Sequence, residues 1–202
     1  LMKKSAPNEK HVGLMLPTSL AGVVSFYACQ AYDMAPAMIN FTSGFQAVLS
    51  CCRTAEIKVI FTSRKFIKLA KLEEIATVLT GAGVRLIYLE DLTVGNYGAK
   101  ALGLLFALLR IKPSNKATEP AVVLFTSGSE GMPKAVVLSH RNLQANRAQI
   151  LSQVSFNRND RIFNCLPIFH SFGLGVGTVL PILSGIRTFY YPSPLHYRII
   201  PE

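Results

Sequence analysis

The residues best equipped for chemistry stand between positions 122 and 140: Thr126, Ser127, Gly128, Ser129, Glu130, Gly131 and, three residues on, Lys134. Glycine has no Cβ, so Gly128 and Gly131 can take positive φ and turn successive backbone N–H groups toward one point, a concave row of donors that suits an anion. Thr126, Ser127 and Ser129 add hydroxyl donors, and Lys134 adds a compact positive charge on a long stem that suits a phosphate oxygen. Pro133 fixes its own φ and restricts Met132 before it, stiffening the approach to the lysine. Apolar runs enter and leave the stretch, which predicts a loop held between two buried strands. The alternative is a Ser/Gly hairpin turn that binds nothing. A turn needs only a few such residues, whereas here small donors and a lysine are gathered in one place.

Spacing sets aside three familiar motifs. A Walker A loop needs four residues between its glycines and a glycine before the lysine, whereas two residues separate Gly128 from Gly131 and Pro133 precedes Lys134. Gly173, Gly175 and Gly177 follow no direct strand-to-turn step and suit close helix packing better than dinucleotide binding. No Gly-x-Ser-x-Gly nucleophile elbow occurs. The second chemical candidate is His170, in Leu166-Pro167-Ile168-Phe169-His170-Ser171-Phe172-Gly173. It stands where a strand gives way to a helix, and open α/β sheets bind ligands at the carboxyl ends of their strands. A helix-start histidine satisfied by local hydrogen bonds explains its position equally well.

The elements that must hold these residues alternate along the chain. Strands are expected at residues 11–16, 37–41, 58–61, 85–89, 161–166 and 186–191, besides the two flanking the loop. Thr18 or Ser19 can cap a helix to about Ala31 whose apolar face holds Leu20, Val23, Val24 and Tyr27. A helix follows at residues 43–53. Ser63 can cap one long helix with Ile67, Ala70, Ile75 and Leu79 on one side, ended by Gly81 and Gly83. Residues 99–111 read as an apolar helix packed on the sheet, and 113–120 as a linker bracketed by prolines. Ser139 can cap a helix with Leu143, Ile150, Leu151 and Val154 on one face, and residues 170–183 form the last helix. This alternation predicts an α/β fold on a mainly parallel sheet flanked by helices.

Half of the 202 residues are apolar, as a globular core requires, and the net charge of +10 favours anionic partners without choosing among nucleotide, acidic protein and anionic lipid. No interleaving of aromatic and basic residues marks a nucleic-acid surface, so no nucleic-acid partner is expected. Cys29, Cys51, Cys52 and Cys165 lack metal-site spacing and read as reduced, buried thiols of a cytosolic protein. The apolar run at 101–109 falls short of the about 20 residues that span a bilayer. The first residue is not a methionine, and residues 1–202 are expected to be a piece of a longer protein.

Taken together, the two motifs carry a resemblance. The segment from Phe125 to Lys134 resembles the phosphate-binding signature of the acyl-adenylate-forming superfamily, which comprises acyl-CoA synthetases, luciferases and peptide-synthetase adenylation domains. Pro167-Ile168-Phe169-His170 resembles that superfamily's next motif. Glu130 stands where Thr or Ser is usual, and Ala135 where Gly usually follows the lysine. Those details, with Tyr191-Pro192-Ser193-Pro194-Leu195-His196-Tyr197-Arg198-Ile199 and the stretches 55–64 and 88–92, are similar to one branch. In it a synthetase for acyl–acyl carrier protein is joined to a bacterial 2-acylglycerophosphoethanolamine acyltransferase.

The resemblance implies that this is part of the large N-terminal AMP-binding domain, with the acyltransferase domain and the small C-terminal domain outside residues 1–202. It implies attack of a fatty acid carboxylate on ATP to give acyl-AMP, then transfer to the thiol of acyl carrier protein and on to a lysophospholipid. The intact protein would work at the cytoplasmic side of the bacterial inner membrane, while this piece would be soluble and nearly inactive alone. By the same likeness Thr126, Ser127, Gly128, Ser129, Glu130 and Gly131 cradle the phosphates, Lys134 offsets their charge and His170 positions the carboxylate. Mg²⁺ would bridge phosphate oxygens near Thr126 and Glu130, with Glu130 either turned outward or helping to hold the metal. Two readings compete: a fatty acyl-CoA synthetase or other acyl-adenylating ligase, and a non-catalytic basic domain that docks on membranes.

Overall fold

Short apolar strands separated by amphipathic helices have one economical arrangement, a sheet with helices on both faces. The computed structural model, which describes residues 2–93, 118–127, 133–157 and 159–192, has this arrangement. In chain order it contains α1 (Met2–Ser5), β1 (His11–Leu14), α2 (Leu20–Gln30), β2 (Ala35–Met38), α3 (Phe45–Thr54) and β3 (Val59–Thr62). Next come α4 (Arg64–Leu69), α5 (Glu73–Gly81), β4 (Arg85–Tyr88), α6 (Leu89–Thr93), β5 (Pro120–Ser127), β6 (Pro133–Ser139) and α7 (His140–Gln153). The last described elements are β7 (Arg161–Asn164), α8 (Ser171–Leu174), one π-helical turn (Gly175–Val179), α9 (Leu180–Ser184) and β8 (Arg187–Tyr190).

Six strands form one sheet in the order β4-β3-β1-β2-β5-β6, and β7 pairs with β8 in a separate parallel pair. Within the large sheet every pairing is parallel except β5 with β6. Side chains alternate across a strand, so each strand feeds both faces. Val12, Leu14, Met38, Phe61, Val122 and Leu124 enter one core with Phe26 and Cys29 of α2 and with Ile168, Phe169 and Leu174. Ala37, Ile39, Ile60 and Val123 enter the other, with Val48 and Cys51 of α3 and Ile75 and Leu79 of α5.

Three sequence expectations need correcting. In α2 the buried residues are Gly22, Val23, Ser25, Phe26 and Cys29, while Leu20 and Val24 are 71% and 58% exposed. This helix is apolar nearly all round, so periodicity does not choose its face. Gly22 does, because a Cβ there would stand 2.7 Å from the Pro17 carbonyl oxygen and 2.9 Å from Ile168 Cδ1. The single helix expected after Ser63 is two: Lys71 takes a left-handed φ of 54°, the Leu72 amide reaches back to the Ile67 carbonyl, and Ala70 is exposed. Finally, of the two strands flanking the loop, both expected to be buried, only β5 is. Its partner β6 is the sheet edge, with Val136 and Val137 38% and 51% exposed. The apolar helix at 99–111 and most of the linker at 113–120 lie outside the described residues.

Candidate functional site

Strand β5 runs parallel to β2 through Ala37 opposite Val123, so its last residues, Thr126 and Ser127, stand at the carboxyl edge of the sheet. The chain returns antiparallel as β6, with Ser127 opposite Pro133 and Thr126 opposite Lys134. Residues directly opposite in an antiparallel pair project on the same face. Leu124 and Val122, two and four positions before Thr126, belong to the core that also holds Ile168 and Phe169, whereas Val123 belongs to the other. Thr126 and Lys134 therefore point to the side of the sheet occupied by the segment leading to His170, and both are exposed there. Gly128, Ser129, Glu130 and Gly131 lie outside the described residues.

His170 is the N-cap of α8 in extended geometry (φ −99°, ψ 146°), and its imidazole does not cap that helix. Its backbone is fixed: the amide donates to the Pro167 carbonyl at 3.0 Å, and its own carbonyl accepts from Leu174 at 2.9 Å. The side chain is exposed and packs beside Phe169, ring centroids 4.8 Å apart. Phe169 is buried and meets Phe41 edge to face at 5.1 Å. Phe41 follows β2, the neighbour of β5, so His170 stands at the same edge and on the same face as Thr126 and Lys134. Neither Lys134 nor His170 forms a side-chain hydrogen bond or ion pair with another described residue. Among the described residues, the local hydrogen bonds of His170 are made by its backbone.

A cation, a hydroxyl and an imidazole thus stand at the carboxyl edge on one face of the sheet, and groups of these types can bind an anionic ligand. The donor set also bears on Mg²⁺. Among the described residues no three His, Cys, Asp or Glu side chains are grouped as a metal cage. Mg²⁺ keeps much of its water and needs few carboxylates, so a hydroxyl such as that of Thr126 at the carboxyl edge is compatible with it. A cleft of about 340 Å³ lined by His11, Gln30, Glu119 and His140 lies at the opposite edge, where the strands begin, and is remote from these groups.

Sequence reading passed over two residues of this neighbourhood. Thr18 was an alternative helix cap, but Ser19 performs that task, accepting from the Gly22 amide at 3.3 Å. Thr18 instead bonds residues 166 and 168. Asn164, a polar residue in β7, is 3% exposed and binds the backbone on both sides of His170. No spacing signal marks either, because their partners are distant in sequence or are backbone atoms.

The family model of the AMP-binding enzymes matches residues 1–201, and the chain belongs to that family. A putative fatty-acid–CoA ligase of Mycobacterium tuberculosis is 42% identical over 83 residues, covering 38% of this chain and 14% of the relative. An acyl-CoA ligase of Beauveria bassiana is 26% identical over 190 residues, 89% of this chain and 32% of its own length. Among solved structures, the fatty acid AMP ligase of Legionella pneumophila superposes with a TM-score of 0.75 at 21% identity, over 99% of this chain and 33% of that one. The O-succinylbenzoate CoA synthetase of Bacillus subtilis, in complex with AMP, gives 0.72 at 16% identity, over 98% of this chain and 47% of that one. The fold is thus that of a part of adenylate-forming enzymes, and the chain spans less than half the length of each of these four relatives.

Proposed function

We propose that the intact protein activates a fatty acid with ATP. The fatty acid carboxylate attacks the α-phosphorus, the bond to the bridging oxygen breaks, and acyl-AMP and pyrophosphate result. A thiolate then displaces AMP from the acyl carbon to give the thioester. The observation that carries this reading is the register of Thr126 with Lys134, on the face and edge that also hold His170. Lys134 would offset the charge gathering on the departing pyrophosphate, and the Thr126 hydroxyl would donate to a phosphate oxygen. Residues 127–131 would complete the cradle through Ser127, Gly128, Ser129 and Gly131. Such chemistry depends on positioning and charge stabilisation, so no protein nucleophile is needed. His170 would orient the carboxylate, with no proton to move. Mg²⁺, when bound, would supply further neutralisation of the phosphates, and Thr126 and Glu130 are the residues of this chain that would help to hold it.

For the acceptor, the reading rests on the likeness of Glu130 and of residues 191–199 to the acyl carrier protein branch, and on the net charge of +10, which complements an acidic carrier. In that setting a separate acyltransferase domain would pass the chain to a lysophospholipid at the inner membrane. Coenzyme A is the second reading, favoured by the names of the Mycobacterium and Beauveria relatives. Pyrophosphate release by the intact protein, with a panel of fatty acids and each thiol in turn, tests both. Fatty-acid-dependent release followed by thioester only on carrier protein supports the first, thioester only on coenzyme A supports the second, and no fatty-acid-dependent release overturns adenylation. No helix of the described residues is long and apolar enough to cross a membrane. A purely membrane-docking role predicts liposome flotation with nucleotide affinity untouched by Lys134→Ala.

A further inference from the structure

We infer that Thr18 is a positioning residue for His170, acting through the backbone of residues 166–168; the inference rests on the role proposed above for His170. Thr18 lies in the connection between β1 and α2 at the carboxyl edge and is 3% exposed. With Ser19 serving as the helix cap, its hydroxyl is free for another use. That hydroxyl donates to the Leu166 carbonyl and accepts from the Ile168 amide, each at 3.1 Å and across 148 and 150 residues of chain.

The same segment is gripped from the other side. Asn164 accepts from the Leu166 amide at 3.2 Å and donates to the Gly173 carbonyl at 3.1 Å, where the Thr178 hydroxyl also donates at 3.0 Å. The two backbone groups of Leu166 are therefore taken by two different buried side chains, and the backbone leading into His170 cannot slide without breaking one of them. The absence of a Cβ at Gly22 lets Ile168 come down onto α2, close enough for the Thr18 bonds to form. His170 has an exposed imidazole with no capping bond, so its position depends on where this backbone is held. Misplacing a positioning group by about 1 Å can cost up to about a hundredfold in rate.

A buried threonine serving packing alone would change stability and leave chemistry to fall in step with the folded fraction. A positioning role makes three different demands, read by fatty-acid-dependent ATP–pyrophosphate exchange in the intact protein. Thr18→Val keeps the shape and removes the hydroxyl; it is expected to lower kcat about tenfold with the ATP KM unchanged within about twofold. Thr18→Ser restores the hydroxyl and should return kcat to within about threefold of the parent. In a His170→Ala background, Thr18→Val should cost less than about twofold more, because residues acting through one another are not additive. Should Thr18→Val fail to unfold cooperatively, Thr18→Ala takes its place.

The inference is overturned if the folded variant stays within about twofold of the parent, or if it loses the same factor with and without His170. It is equally overturned if Thr18→Ser loses as much as Thr18→Val. Absence of exchange in the unmodified protein, or exchange untouched by His170→Ala, removes the proposed role of His170 itself. That outcome is distinct from an active, His170-dependent enzyme indifferent to Thr18.

Discussion

Gly177→Ala tests the packing beneath His170. Gly177 lies in the π-helical turn, is buried, and faces Asn164 so closely that an added Cβ would overlap Cγ, Nδ2 and Oδ1 of that side chain. Asn164 cannot yield cheaply. Its amide nitrogen donates to Gly173 at 3.1 Å and contacts the Thr178 hydroxyl at 3.4 Å, and its oxygen accepts from Leu166 at 3.2 Å. Forcing a methyl into a filled core costs about 1–3 kcal/mol. Leaving one buried polar group of this network without its partner adds about 1–3 kcal/mol. Against this, alanine gains up to about 1 kcal/mol over glycine in a helix. The net expectation is a loss of about 1–6 kcal/mol, read as a lower urea midpoint in circular dichroism of the intact protein. Gly81→Ala is the control: it ends α5 with open space around the added atom, so it should lose no stability and gain at most about 1 kcal/mol. A Gly177→Ala variant within about 0.5 kcal/mol of the parent would refute the reasoning.

Other consequences follow from the buried thiols and the loop. Burial pushes Cys29 up to about 12 and Cys51 up to about 11, and burial together with neighbouring Cys51 pushes Cys52 up to about 12, from an ordinary 9.0. Between about pH 9 and pH 11 the unfolded chain sheds these protons while the folded chain keeps them, so their contribution is full below pH 9 and declines as pH rises. Urea midpoints should fall over that window; a flat or rising profile would count against the burial. At about pH 8, a thiol reagent mapped by mass spectrometry should modify half-buried Cys165 well before the three buried cysteines, and equal rates would contradict this. For Glu130, isothermal titration of Glu130→Gln with ATP at several Mg²⁺ levels separates the two roles. Unchanged affinity and unchanged Mg²⁺ dependence would mean that the carboxylate turns away from the site.

Much of the fold was legible because alternating strands and helices leave strong local signals, such as Ser63 capping α4 and Ser139 forming a capping box with Asn142. The misses share a physical cause. In α2, apolar residues on every side left the choice of face to a tertiary contact at Gly22. After Ser63, continuous apolar periodicity concealed the break at Lys71, a left-handed residue that no glycine announces. For β6, apolar residues read as burial although the strand ends the sheet. At the site, Thr126, Lys134 and His170 were identifiable by residue type, but the common face of Thr126 and Lys134 comes from the antiparallel register of β5 with β6, and the place of His170 from Phe169 packing on Phe41. The support from Thr18 and Asn164 depends on contacts that only the folded chain makes.

The central claim is that Lys134 and His170 serve one acyl-adenylating site, and ATP–pyrophosphate exchange by the intact protein tests it most directly. The account predicts exchange that requires a fatty acid and falls at least about a hundredfold on replacing Lys134 by Ala or His170 by Ala, since each loses a charge-stabilising or positioning group. Exchange without fatty acid, or fatty-acid-dependent exchange indifferent to both substitutions, would contradict it.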